Sequence, residues 1–428
     1  MTRFWVALLL AACEPPLPLG PALPAPLPLA PVQADAPLPP RHAASRTLFD
    51  QMLERVSRAR GLPFRRAVVY ARIDRDDLLA RVRAHVAREV PARAIRAEGL
   101  VQKLLGLFPQ RGDYEAETYA LLLGSLAGYY EPADGTMYVA ADLDDGETRA
   151  TLSHELVHAL QDQRWGLRAH AAYVEGQDDR STAFSALAEG DATSVTEDLG
   201  AAPRSRAQAR DETDAPRALR RALLAPYVAG TRFVSALRRQ GGWAAVDAAW
   251  ATPPETTEQI LHPEKWQAHE PADVVSDPPP PATDLPLLEA TTYGELGLQL
   301  TLEGWAGATS ASASGWGGDR LALYASGDRA ALLWHLRFDD ASPAPPDAIA
   351  LRVFTSMRAS LARAGRVPPA ATDEVCEGRG GNGVLAVSRV GRDVFVAVGT
   401  VTMSARGWQP VMTCDEALAW CRRASLAR

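Results

Sequence analysis

Apolar side chains recur at every third or fourth position over long stretches of this chain and alternate over shorter ones. Leu48, Met52, Leu53 and Val56, then Leu78, Leu79, Val82 and Val86, keep the helical period with arginines between them. Residues 45–107 therefore read as helical. The same period predicts helices over 114–126, 147–165, 181–199, 218–240 and 243–250; Gly241 and Gly242 separate the last two, and Pro253 and Pro254 end them. Between the first and second of these, residues 129–139 carry aromatic and β-branched flanks around Asp134-Gly135, which predicts a hairpin. The polar stretch 204–216 reads as a surface loop. Beyond it, residues 277–286 are proline-rich and polar, the best candidate for a linker. Strands are expected at 320–324 and 330–338, a helix at 345–363, and a second hairpin from 383–390 and 393–401 about Gly391-Arg392. Gly315 to Gly318 reads as a turn. The pattern predicts an α+β fold: a mostly helical domain over 45–276, a linker over 277–286, and a small α+β domain over 287–428.

Composition alters this picture little. Apolar residues are 47% and charged residues 23% of the 428, ordinary for a globular protein and too rich in core for a disordered one. A net charge of −7 gives no reason to expect a nucleic-acid partner. Lys103 and Lys265 are the only lysines among 45 basic residues, which reads as the codon bias of a GC-rich genome.

The first residues change the expected location. Arg3 is followed by a nine-residue apolar run, Phe4 to Ala12, and then by Cys13. The order of charge, apolar run and small-residue exit is that of a secretory signal over residues 1–12. Nine residues fall far short of the roughly 20 that span a bilayer as a helix. Leu10-Ala11-Ala12-Cys13 resembles the lipobox of bacterial lipoproteins, which implies lipid on Cys13; a plain signal peptide is the alternative. Eleven prolines between Pro15 and Pro40 make residues 13–44 an extended tether, or a ligand for a proline-recognition domain. The expected location is the cell envelope, held to a membrane by lipid alone. In an exported chain Cys376, Cys414 and Cys421 allow one disulfide and leave one thiol.

The chemistry centres on His154-Glu155-Leu156-Val157-His158. On a helix, positions i and i+4 lie one turn apart on the same face, so both imidazoles can hold one ion, with Glu155 beside them as general base. Zinc suits such a site: three protein ligands, with the fourth position left for water. Leu152, Leu156, Val157 and Leu160 make the helix largely buried, so its polar groups need a reason to be there. The metzincin position for a third histidine holds Arg164 instead. Glu189 lies 31 residues past His158 among Ser185, Ala186, Gly190, Ala192 and Thr193, small residues that let its helix approach another backbone closely. Asp191 and His170 are the competing third ligands. Glu175, Asp178 and Asp179 read as a solvated loop.

This pattern resembles the gluzincins, zinc metallopeptidases with a glutamate ligand on a later helix. Together with residues 154–163, the run Ala188-Glu-Gly-Asp-Ala-Thr193 and the stretch 254–265, it looks like a little-characterised group of bacterial metallopeptidase-like proteins. The resemblance covers roughly residues 126–266. It implies that His154, His158 and Glu189 bind Zn2+, that Glu155 is the catalytic base, and that the substrate is a peptide or protein of the envelope. The thermolysin branch places an aspartate four positions after the ligand glutamate to support a histidine; here that position is Thr193, and Asp191 sits about 200° round the helix from Glu189. His262 and tyrosines 129, 130 and 227 are candidate donors to a developing oxyanion. Related zincins pair extended substrate with an edge strand, a role open to the 129–139 hairpin. The alternative is an envelope binding or assembly lipoprotein with a vestigial zinc site.

Overall fold

A computed structural model describes residues 40–200, 216–306, 313–339, 346–364, 373–379 and 383–427. The expected signal over 1–12, Cys13, most of the expected tether and all but Pro216 of the expected loop over 204–216 lie outside the described residues. The chain begins with α1 (Pro40–Arg60), β1 (Val69–Ile73), α2 (Arg75–Glu89), α3 (Ala92–Leu104) and α4 (Tyr114–Ser125). β2 (Gly128–Glu131) and β3 (Thr136–Ala140) form the expected hairpin. There follow α5 (Asp145–Trp165), α6 (Leu167–Ala171), α7 (Asp178–Asp198), α8 (Arg217–Ala251), α9 (Thr257–Leu261) and α10 (Pro263–Gln267). The C-terminal part runs β4 (Leu287–Thr291), α11 (Gly294–Ala306), β5 (Trp316–Ser326), β6 (Arg329–Phe338), α12 (Pro346–Ala364), β7 (Glu374–Gly378), β8 (Val384–Val390), β9 (Asp393–Thr402), β10 (Gln409–Pro410) and α13 (Cys414–Leu426). The fold is α+β. No helix among the described residues is long and apolar enough to cross a membrane.

Residues 45–107 are not helical throughout. β1 interrupts them and pairs in parallel with β3, so a small sheet of order β1-β3-β2 stands ahead of α5. Val68, Val69, Tyr70 and Ile73 favour a strand, and Gly61, Leu62 and Pro63 break the helix before it. The larger sheet is antiparallel, in the order β4-β5-β6-β9-β8-β7, with β10 added to β9. Strand alternation gives it two apolar faces. Leu321, Leu323, Leu332, Trp334 and Val396 join Val353, Phe354 and Met357 of α12 in one core. Ala322, Tyr324, Leu333 and Phe395 meet Trp420 and Cys421 of α13 in another. Trp316 to Gly318, expected in a turn, already belong to β5.

The first of these cores also contains Ala97, Phe184, Phe233 and Trp250. Apolar contact therefore runs without a break from the helical part into the sheet. Residues 277–286 carry neither helix nor strand and lie along the sheet: Tyr324 Oη and Trp420 Nε1 donate to the carbonyls of Pro278 and Pro279. Cys376 and Cys414 form the disulfide, which ties β7 to the start of α13, and Cys421 is the buried free thiol.

Candidate metal centre

Helix α5 is fixed at both ends by its own sequence. Asp144 accepts from Glu147 N at 2.8 Å while Glu147 accepts from Asp144 N at 3.1 Å, a reciprocal cap. Gly166 ends the helix in the left-handed region, φ 73°. Between these ends His154 and His158 face α7, whose own partner is α8. At the α7–α8 crossing Gly190 meets Gly230, where a Cβ would lie 2.2 Å from a backbone carbon. Side-chain-free contact lets the two backbones touch, so α8 backs the helix that carries Glu189.

The result brings three candidate ligands together. His154 Nε2 lies 2.9 Å from Glu189 Oε2, and His158 Nε2 lies 3.4 Å from Glu189 Oε1. One candidate ligand atom from each residue falls within 4.8 Å of the other two. Glu189 is 0% exposed and His158 3%. Burial by itself would raise the Glu189 carboxyl, but the imidazoles of His158 and His154 overcome it and hold it down at about 2. Burial would likewise lower His158; the Glu189 carboxylate, with help from Glu155, instead pushes it up to about 9. Glu189 Oε1 is buried and makes no hydrogen bond. A buried carboxylate oxygen with two imidazole nitrogens around it and a lone pair unused fits a divalent cation. His154, His158 and Glu189 can therefore hold a metal ion.

Asp191 is not part of that cluster. Its Oδ1 accepts from Arg60 Nε at 2.7 Å, and its Oδ2 from Trp250 Nε1 at 2.9 Å and Gln161 Nε2 at 3.3 Å. His170 is exposed and stacks on Phe184, with ring centroids 5.1 Å apart. Packing thus places Glu189, and neither Asp191 nor His170, beside the two imidazoles. Asp178 and Asp179 do not form a solvated loop: both are buried at the start of α7, and Asp179 accepts from Thr257 N and Oγ1. Burial pushes the Asp179 carboxyl up to about 8.

The expected oxyanion donors separate. Tyr227, on α8, lies beside His154 with ring centroids 6.0 Å apart and is partly exposed. Tyr129 is buried against Tyr138, and Tyr130 donates to Asp162 Oδ2 at 3.2 Å. His262 is brought elsewhere. Its Nε2 is 3.1 Å from Glu295 Oε1, and it lines a cleft of about 300 Å³ with Ala225, Val228 and Ala229 of α8, a cleft to which no triad residue contributes. At 100° per residue those positions lie on the side of α8 away from Tyr227 and Gly230. The helix thus stands between His262 and the triad. Strand β2 is an edge of the small sheet and its four residues are buried.

Residues missed by reading the sequence are Arg60, Gln161 and Trp250. Gln161 stands in the motif helix, three positions past His158, and could have been found there. Arg60 and Trp250 reach the site only through the fold.

Residues 286–406, from β4 to β9 of the larger sheet, match a family described as a domain of unknown function (DUF8575). No curated protein matches the sequence. Among solved structures, a Chloroflexus aurantiacus protein assigned provisionally as a hydrolase with a novel fold aligns with a TM-score of 0.36 and 16% identity, over 55% of this chain and 92% of that one.

Proposed function

We propose that this protein is a zinc-dependent peptidase of gluzincin type, acting on peptides or proteins of the cell envelope. The observation that carries the reading is the meeting of His154, His158 and Glu189 around a buried, unbonded carboxylate oxygen. Those three would hold the ion, which supplies Lewis acidity, lowering the pKa of water and polarising a carbonyl. The chain's own residues do the rest. Glu155, one residue from His154 and close enough to His158 to influence it electrostatically, takes a proton from the attacking water and passes it to the leaving amine. Tyr227, whose ring lies beside His154, takes the place of His262 as donor to the developing oxyanion.

The test is Glu155→Gln in the full chain loaded with zinc. Zinc content should stay at the wild-type level while cleavage of a fluorescent unfolded protein falls by roughly 10²–10⁴-fold. Wild type cleaving no faster than this variant overturns the reading. The depth of the triad favours a second reading, an envelope binding or assembly lipoprotein whose zinc site is structural. That reading expects zinc in both proteins and cleavage in neither.

The chain is further read as exported and held by lipid at Cys13. The signal-like residues 1–12 support this, and so does a disulfide between Cys376 and Cys414, which suits an oxidising compartment. Cys13→Ser should abolish incorporation of labelled fatty acid in cells; unchanged labelling refutes the anchor.

A further inference from the structure

An imidazole grips an ion through the nitrogen that carries a lone pair, and the hydrogen bond made by the other nitrogen decides which one that is. His158 Nδ1 lies 2.8 Å from Gln161 Oε1. The amide of Gln161 can stand only one way round. Its nitrogen has two acceptors, Ala188 O at 3.0 Å and Asp191 Oδ2 at 3.3 Å, so its oxygen is the atom that meets His158. His158 Nδ1 must then donate, which leaves Nε2, the nitrogen facing Glu189, to supply the lone pair.

Gln161 is held in turn. Asp191 receives it together with Trp250 Nε1 and Arg60 Nε. Arg60 comes from the end of α1, is 1% exposed, and lies over Trp243 and Trp165 with its guanidinium carbon 4.4 and 5.5 Å from the ring centroids. Its Nη2 donates to Asp247 Oδ1 at 2.7 Å. Buried between two indoles and bound to two carboxylates, this cation has little freedom to turn.

We propose that Gln161 and Asp191, clamped by Arg60, are positioning residues that commit His158 to offering Nε2 to the metal. The proposal rests on the metal reading of the triad. It gives the buried aspartate of the Glu-Gly-Asp run a task other than ligation. None of the three side chains belongs to the ligand cluster.

The experiment uses the full chain with isotope-labelled histidine. Metal-free wild type should show a slowly exchanging, downfield proton on His158 Nδ1, and cadmium loading should couple the metal to Nε2. Gln161→Met should lose the protected proton and bind zinc roughly 10–100-fold more weakly in a chelator competition. Trp250→Phe, which removes one donor from Asp191, should shift both readouts in the same direction by less, and it serves if Gln161→Met does not fold. Metal coupled to Nδ1 overturns the proposal, as does an unchanged proton signal and zinc affinity in the folded variants. If wild type binds no metal but shows the Nδ1 proton and loses it in Gln161→Met, the zinc reading fails while the relay stands.

Discussion

In the metal-free protein His158 holds its proton beside the Glu189 carboxylate, and both shifts point the same way. His158 is raised from 6.5 to about 9, so its contribution to stability is fully present below 6.5 and is lost as pH climbs through 9. Glu189 is lowered from 4.5 to about 2, so its contribution is present above 4.5 and is lost as pH falls through 2. The pair therefore stabilises the metal-free chain most between 4.5 and 6.5. Melting curves of wild type and Glu189→Gln should differ most in that window and converge toward either extreme. The same proton opposes the metal. Zinc affinity should rise with pH until His158 has titrated, near 9, and then level off; a flat profile below that pH would contradict the ligand role of His158.

At the scale of elements, the site depends on how closely α7 and α8 approach. A Cβ on Gly230 would sit 1.8 Å from Ala186 O, so Gly230→Ala must push the helices apart. Overpacking of this kind costs about 1–3 kcal/mol, which urea denaturation would read directly. Zinc affinity should fall as well, because Glu189 lies one residue from Gly190 at the crossing. Wild-type stability and affinity in this variant would mean that the crossing is not what places Glu189. Several elements were plain in the sequence: α4, the β2–β3 hairpin, α5, α7 and the two halves of α8 broken at Gly241 and Gly242. Helix α11 was not. Leu296, Leu298, Leu300 and Leu302 alternate as in a strand, yet all four are buried in a helix covered on two opposite sides. Helix α13 was missed despite its signal, the reciprocal cap of Thr413 and Glu416.

Over the whole molecule, one core joins the helical part to the sheet, with Phe184 and Trp250 in the same apolar cluster as Trp316 and Trp334. Cutting at the proline-rich segment would leave this surface open to water on both pieces. Calorimetry of residues 45–428 should therefore show one cooperative transition whose calorimetric and van't Hoff enthalpies agree. Two separate transitions would show the parts to be independent.

The sequence alone determined what repeats locally. Four residues carry a helix about 40° past one full turn, so His154 and His158 share a face wherever α5 sits, with Glu155 next to them. The cap at Asp144 and the stop at Gly166 are local in the same sense. Glu189 and Asp191, by contrast, are both acids on one helix, and nothing in their spacing to His158 ranks them. Only the packing of α7 between α5 and α8 turned Glu189 toward the imidazoles and gave Asp191 to Arg60, Trp250 and Gln161. It likewise put His262 behind α8 and Tyr227 beside His154. The physical reason is the same in each case: the helical period fixes the angles between side chains of one helix, while the direction a helix faces is set by the neighbours that bury it.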